Sequence, residues 1–136
     1  MPPAILKVET LPIASDTDVI LVRQAVRAHA VELGFGLVDQ TKTITAASEL
    51  ARNTLIHGGG GTIRIERLQD GPRRGVRMAF EDQGPGIVDV ESALRDGYTT
   101  GNGLGLGLGG ARRLVNEFEL DSRPGQGTRV TITKWK

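Results

Sequence analysis

The order of apolar and polar positions over the first third of the chain predicts a strand followed by a helix. Weak alternation over 6–11 indicates an edge strand that ends at Pro12. Ser15 is typical of a helix N-cap, and Gly34 is a typical helix stop. The apolar stripe between them has helical spacing, and it consists of Val19, Val22, Val26 and Leu33.

A second helical pattern covers 41–57, with Asp39 as its expected N-cap and Gly58 as its end. Its apolar face consists of Ile44, Ala47, Ala51 and Leu55. Two alternating stretches follow, over 62–68 and 76–81, and the turn residues between them predict a β-hairpin.

The last third of the chain is predicted to contain helices, a loop and closing strands. We expect a short helix over 89–95, a glycine-rich loop, and a longer helix over 104–118. The segments 120–122 and 128–135 are the remaining predicted strands. The whole pattern predicts one α+β domain over 1–136, a two-layer sandwich with helices on one face of a mixed, mostly antiparallel sheet.

Composition narrows the class of protein. The 19 glycines are about twice the usual share, and they gather in short stretches without a collagen period. Seventeen basic and sixteen acidic residues leave a formal net charge of +1, which favours neither nucleic acid nor membrane as a partner. There is no cysteine, no apolar run of membrane-spanning length and no signal-peptide pattern, so we expect a cytoplasmic protein.

Three polar residues share one face of the second predicted helix, namely Glu49, Asn53 and His57. A carboxylate there suits a hydroxyl substrate, and an amide oxygen suits Mg²⁺, which accepts few protein ligands. A solvated polar stripe has the same spacing, so this pattern alone is weak.

Three glycine-containing segments add candidate binding chemistry. Asp82 lies at a strand end before Gly84 and Gly86, an arrangement that suits a purine amine, although a type II turn also fits. The stretch 101–110 is rich in glycine and precedes a helix, which favours either a phosphate site or a hinge. It lacks the lysine of a Walker A loop and does not directly follow a strand as a Rossmann loop does. Gly125 to Thr128 is compatible with a plain hairpin turn.

Taken together and in this order, these segments resemble the nucleotide-binding boxes of the GHKL (Bergerat-fold) ATPases and kinases. The matching segments are Ser48–Asn53, Asp82-x-Gly84-x-Gly86, Gly101-x-Gly103-x-Gly105 and Gly125-x-Gly127-Thr128. Further segments resemble the RsbT-type switch serine/threonine kinases of stressosomes, namely 32–36, 82–87, 96–100 and 113–118.

The resemblance implies a role for each matching residue. Asn53 is expected to hold Mg²⁺ on the ATP phosphates, and Glu49 to orient or deprotonate the acceptor hydroxyl. Asp82 is expected to accept from the adenine amine, with support from Thr128. The glycines complete the site: Gly84 and Gly86 under the purine, and Gly101, Gly103, Gly105 and Gly107 at the phosphate end of an ATP lid.

The resemblance implies a kinase that uses ATP and Mg²⁺ to phosphorylate STAS-domain proteins of a stressosome. Once released from them, the kinase is expected to activate an output protein such as a PP2C-type phosphatase. Two alternatives remain open: an anti-sigma factor of the same fold, and a binding module that uses ATP only to set its shape.

Overall fold

The protein is described by a computed structural model that covers residues 2–87, 94 and 107–136. Its elements, in chain order, are β1 (Ala4–Ile13), α1 (Asp16–Glu32), α2 (Leu37–Ile56), β2 (Gly61–Asp70), β3 (Arg73–Asp82), α3 (Gly107–Arg113), β4 (Glu117–Ser122) and β5 (Thr128–Trp135). The predicted helix over 89–95 lies outside these residues, except for Leu94.

The five described strands form one sheet in the order β1-β2-β3-β5-β4. All four pairings among them are antiparallel, which confirms the mostly antiparallel sheet that we expected, although no parallel pair occurs among the described strands. The expected edge strand is confirmed as β1, although it continues through Pro12 to Ile13. An edge position tolerates this proline because one side of the strand needs no ladder hydrogen bond.

The helices and the sheet share one apolar core. Alternate residues of β2, β3 and β5 enter it from one face of the sheet, and they are Ile63, Ile65, Val76, Met78, Phe80, Val130 and Ile132. The predicted stripe of α1 packs on this face with the apolar side of α2. The α+β architecture with helices on one face of a sheet is therefore as predicted.

Two predicted helix ends are wrong. Helix α2 begins at Leu37 with Gly36 as its N-cap, so Asp39 lies in the first turn. The last helix ends at Arg113, and Phe118 belongs to β4, where it pairs with Ile132. Exposed and partly buried residues alternate with a period of two over 117–122. This period fits a strand beside β5 better than a further helical turn.

Candidate active site

Four strand positions meet at one end of the sheet. Asp82 is the register partner of Gly61 on one side and of Thr128 on the other, and Thr128 is in turn paired with Ser122. The C-terminal end of α2 reaches the same edge, because Gly58 lies directly against the Asp82 side chain. The fold therefore brings together predicted site residues that are far apart in sequence.

Asp82 is the buried acceptor of this site, with 8% of its surface exposed. Its Oδ1 accepts a hydrogen bond of 2.9 Å from the Gly84 N–H. With the described residues it forms no other hydrogen bond or ion pair, so Oδ2 keeps its acceptor capacity. A buried carboxylate with a vacant lone pair is complementary to an exocyclic amine on a flat ring.

Gly58 and Gly84 allow the two chain segments beside Asp82 to touch. A β-carbon at Gly84 would come 2.7 Å from the Gly58 Cα, and one at Gly58 would come 2.5 Å from the Asp82 Cβ. Any side chain at either position would fill the space beside the carboxylate. Gly58, which the sequence predicted only as the end of α2, and Gly84 are thus needed where these two backbone segments touch.

The segment 84–87 is fixed to the β4–β5 turn by hydrogen bonds. The Gly125 N–H donates to the Pro85 carbonyl at 2.6 Å, and the Ile87 N–H donates to Ser122 Oγ at 2.8 Å. Gly86 has a φ of +77°, which favours glycine, and a β-carbon there would overlap the Arg123 carbonyl. The backbone that follows Asp82 is therefore held against the β4–β5 turn.

Ser122 is a site residue that sequence reasoning missed. Besides the Ile87 N–H, its Oγ contacts the Thr128 hydroxyl at 2.8 Å and the Gly127 carbonyl at 3.2 Å. The sequence pattern that could have identified Ser122 is the two-residue alternation of Phe118, Leu120 and Ser122. This spacing places all three on the helix-covered face of the sheet. The expected support of Asp82 by Thr128 stays a prediction, since within the described residues the Thr128 hydroxyl bonds to Ser122 and not to Asp82.

Glu49 and Asn53 are half-buried on α2, one turn apart. Neither side chain forms a hydrogen bond or ion pair with the described residues, so both are available to a ligand. The Asn53 carbonyl accepts from the N–H groups of His57 and Gly58, at 2.9 and 3.3 Å, and so ends the helix beside Asp82. No cluster of three or more His, Asp or Glu able to hold a metal occurs in the described ranges.

The predicted lid lies largely outside the described residues, which exclude Gly101, Gly103 and Gly105. Gly107 is described as the first residue of α3, with a φ of +68°. The small buried residues Gly109, Gly110 and Ala111 allow α3 to pack against α2. The chain that follows the predicted lid is thus held against the helix that carries Glu49 and Asn53.

Comparison with known proteins identifies the family. Residues 38–136 match the family of histidine kinase-, DNA gyrase B- and HSP90-like ATPases. The chain is 46% identical over 123 residues to the serine/threonine-protein kinase RsbT of Bacillus subtilis (strain 168), covering 90% of this chain and 92% of RsbT. It is 32% identical to the anti-sigma F factor of Thermoanaerobacter sp. (strain X514), covering 83% and 82% of the two chains.

A solved structure supports the fold. The crystal structure of the RsbU and RsbW domains of Rv1364c from Mycobacterium tuberculosis matches 100% of this chain with a TM-score of 0.65 and 24% identity. This chain spans 33% of that longer chain. The predicted ATP-binding fold and the resemblance to RsbT-type kinases are confirmed. The chain belongs to the family of histidine kinase-, DNA gyrase B- and HSP90-like ATPases, on the branch that includes the serine/threonine-protein kinase RsbT.

Proposed function

We propose that this protein is a switch kinase that transfers the γ-phosphoryl group of ATP to a serine or threonine hydroxyl of a STAS-domain partner. The observation that carries the proposal is the contact between Gly58 and Asp82. It joins the end of the helix that bears Glu49 and Asn53 to the buried carboxylate on β3, so that purine and phosphate sites adjoin each other.

Asp82 is proposed to select adenine. Its free acceptor capacity suits the adenine amine, whereas guanine presents a carbonyl oxygen at the same position. Gly84 and Gly86 are proposed to lie beside the ring, where their lack of side chains lets this segment pack against Gly58 and Arg123, and its hydrogen bonds with Ser122 and Gly125 keep it in place. The lid glycines Gly101, Gly103, Gly105 and Gly107 are proposed to supply N–H groups to the phosphates.

Asn53 is proposed to hold Mg²⁺, and its free amide oxygen is a ligand that this cation accepts. The bound cation would supply positive charge that offsets the negative charge developing on the phosphates during transfer. One protein ligand would fit this cation, because Mg²⁺ generally keeps several waters and takes few ligands from the protein. This part of the proposal rests on one ligand atom, the side-chain amide oxygen of Asn53 on α2.

Glu49 is proposed to act on the acceptor hydroxyl. Its half-buried carboxylate, without a partner among the described residues, is able to accept the hydroxyl proton as the oxygen attacks the γ-phosphorus. A bond forms from the hydroxyl oxygen to phosphorus, the bond to the bridging oxygen breaks, and ADP leaves. Phosphoryl transfer depends mainly on positioning and charge neutralisation, so this set of groups is sufficient.

The partners follow from the family branch. We propose that STAS-domain proteins of a stressosome hold the kinase in the cytoplasm and receive its phosphate, and that the released kinase activates an output protein such as a PP2C-type phosphatase. The described helices include none that is both long and apolar enough to cross a membrane.

The test is phosphoryl transfer from γ-labelled ATP to purified STAS-domain proteins encoded in the same genome. We expect labelled serine or threonine on at least one of them, with transfer abolished by chelation of divalent cations. The 32% identity to an anti-sigma F factor gives the second candidate. Tight nucleotide-dependent binding of a sigma factor would favour it, and ATP binding without transfer to any STAS protein would favour a non-catalytic module.

A further inference from the structure

Four polar side chains form a continuous strip along one side of α2. They are Lys42, Thr45, Glu49 and Asn53, and each lies three or four residues from the next, which is the spacing of neighbours on one helix face. With a rise of about 1.5 Å per residue, the strip is about 16 Å long. The proposed function uses only its C-terminal half, Glu49 and Asn53, and leaves Lys42 and Thr45 without a role.

No side chain of the strip forms a hydrogen bond or ion pair with the described residues. Three other threonines of the same helix do, because the hydroxyls of Thr41, Thr43 and Thr54 each donate to the carbonyl one turn earlier. Thr45 is half-buried and makes no such bond. Its hydroxyl therefore keeps both its donor and its acceptor capacity.

Lys42 has no counter-charge because of the way its neighbour is used. The acidic residue within one turn of it on α2 is Asp39, and the Asp39 carboxylate pairs with the buried Lys134 of β5 at 3.5 Å. Glu49 lies two turns away, about 10 Å along the helix axis. The exposed ammonium of Lys42 is thus available to a carboxylate of another molecule.

The order of the proposed sites along α2 sets the direction from which the acceptor arrives. The purine site is at the C-terminal end of the helix, where Gly58 touches Asp82. Asn53, the proposed Mg²⁺ ligand, comes next, and Glu49, which is proposed to act on the hydroxyl, lies one turn further toward the N-terminus. The attacking oxygen and the leaving ADP are roughly in line across the phosphorus, so the protein that carries the hydroxyl extends over the N-terminal half of the strip.

We propose that Lys42 and Thr45 form the acceptor subsite of the kinase and determine which protein is phosphorylated. The Thr45 hydroxyl binds the backbone of the acceptor segment, and Lys42 binds an Asp or Glu that lies about 10 Å from the acceptor hydroxyl. This inference rests on the proposed function, because it specifies the substrate of the same site. It adds that the acceptor has a carboxylate beside its phosphorylated residue.

The test of Lys42 measures steady-state kinetics of the full chain with a STAS-domain protein that accepts phosphate from ATP. We expect Lys42→Glu to raise the KM for that protein at least tenfold, because an attraction becomes a repulsion. Lys42→Met should raise it about threefold, as is typical of an exposed ion pair, and flatten its salt dependence. In both variants kcat and the ATP dissociation constant should stay within twofold of wild type.

Arg74→Glu is the matched control for the change of charge. Arg74 is exposed, has no ion pair with the described residues, and lies about 26 Å from Asp82 along β3. We expect this variant to change the KM for the acceptor less than twofold. An equal rise in KM for Arg74→Glu and Lys42→Glu would show an effect of net charge, and would overturn the role of Lys42.

The test of Thr45 removes its hydroxyl with little change of shape. Thr45→Val should raise the KM for the acceptor at least threefold, and Thr45→Ser, which keeps a hydroxyl, should stay close to wild type. Thr41→Val is the control, since the Thr41 hydroxyl is already bonded within the helix, and it should leave this KM unchanged. Equal KM values for Thr45→Val and Thr41→Val would remove Thr45 from the subsite.

Charge reversal in the acceptor identifies the residue that Lys42 binds. Each Asp or Glu near the phosphorylated residue is replaced by Lys, and we expect one such acceptor to be phosphorylated better by Lys42→Glu than by wild type. Failure of every reversed acceptor, an unchanged KM in Lys42→Glu, or a raised ATP dissociation constant in place of a raised KM would overturn the inference alone. Absence of transfer by the wild type to any STAS protein would overturn the proposed function and this inference with it.

Discussion

The backbone of Gly58 lies directly against the carboxylate of Asp82, which joins the end of α2 to the end of β3. A β-carbon at position 58 would come 2.5 Å from both the Asp82 Cβ and Oδ2, and closer still to its Cγ. Gly58 does not have a positive φ, so the requirement for glycine is steric. The helix bearing Glu49 and Asn53 therefore keeps its place relative to Asp82 only while position 58 has no side chain.

We expect Gly58→Ala to lower ATP affinity at least tenfold, because the helix end or the Asp82 carboxylate must move. The same overlap should lower the free energy of unfolding by about 1–3 kcal/mol, as overpacking usually does. Fluorescence titration with ATP and urea denaturation measure the two effects. Gly36→Ala is the control, since a β-carbon there has nothing within 4 Å, and it should cost at most about 1 kcal/mol as an N-cap change. Equal ATP affinity for both variants would contradict the steric role of Gly58.

Asp82→Asn tests recognition of the purine without a change of side-chain size. The amide oxygen is still able to accept from the Gly84 N–H, so we expect the melting temperature to stay within a few degrees. The amide group opposes the adenine amine, donor against donor, so ATP affinity should fall at least tenfold. The preference for ATP over GTP should shrink with it. An unchanged preference in parallel titrations would remove Asp82 from base recognition.

Ser122→Ala should loosen the backbone beside Asp82. The substitution leaves the Ile87 N–H without its partner, and loss of such a bond at a partly buried site typically costs about 1–3 kcal/mol. Hydrogen exchange of the Ile87 amide, followed by NMR, should accelerate more than that of amides in the β2–β3 ladder. Thr128→Val removes the neighbouring hydroxyl but not this acceptor, so Ile87 should remain protected in that variant.

The ion pair between Glu32 and Arg67 gives stability a dependence on pH. The Arg67 guanidinium, through its hydrogen bond and charge, holds the pKa of Glu32 below its usual value of 4.5. A carboxyl pKa that is lowered by folding stabilises the protein above that usual value, and the effect is lost as the pH falls through the lowered pKa. Glu32→Gln should therefore be slightly less stable than wild type at pH 7, and the gap should close below pH 4.5. Urea denaturation of both proteins above and below that pH measures the gap, and a gap of equal size on both sides would contradict the role of the ion pair.

Much of this architecture was predictable because periodicity records local burial. The stripe of α1 and the alternation of β2, β3 and β5 appear in the sequence as they are buried in the fold. The ends of the helices were less predictable. The sequence favoured Asp39 as the N-cap of α2, but the tight turn between α1 and α2 makes Gly36 the N-cap. Phe118 satisfies helical and strand spacing alike, and only pairing with Ile132 decides between them.

Candidate site residues could be predicted where they lie close together in the sequence. Asp82, Gly84 and Gly86 predict backbone that a purine is able to approach, which stays a prediction, whereas the structure shows Gly84 and Gly86 packed against Gly58 and Arg123. The role of Ser122 was not predictable, because it depends on the register between β4 and β5 and on the position of Ile87. A lone serine at a strand end has no local pattern that distinguishes it from a solvent-exposed one.

Glu49→Gln separates the proposed action of Glu49 on the acceptor hydroxyl from the proposed binding of the nucleotide by Asp82 and Asn53. The measurement is the single-turnover rate of phosphoryl transfer from ATP to a STAS-domain partner, with the ATP dissociation constant determined on the same protein. The proposed mechanism predicts a dissociation constant within about twofold of wild type and a transfer rate lower by about 10²-fold or more, as expected for loss of a general base. A variant that binds ATP normally and transfers phosphate at the wild-type rate would contradict the mechanism.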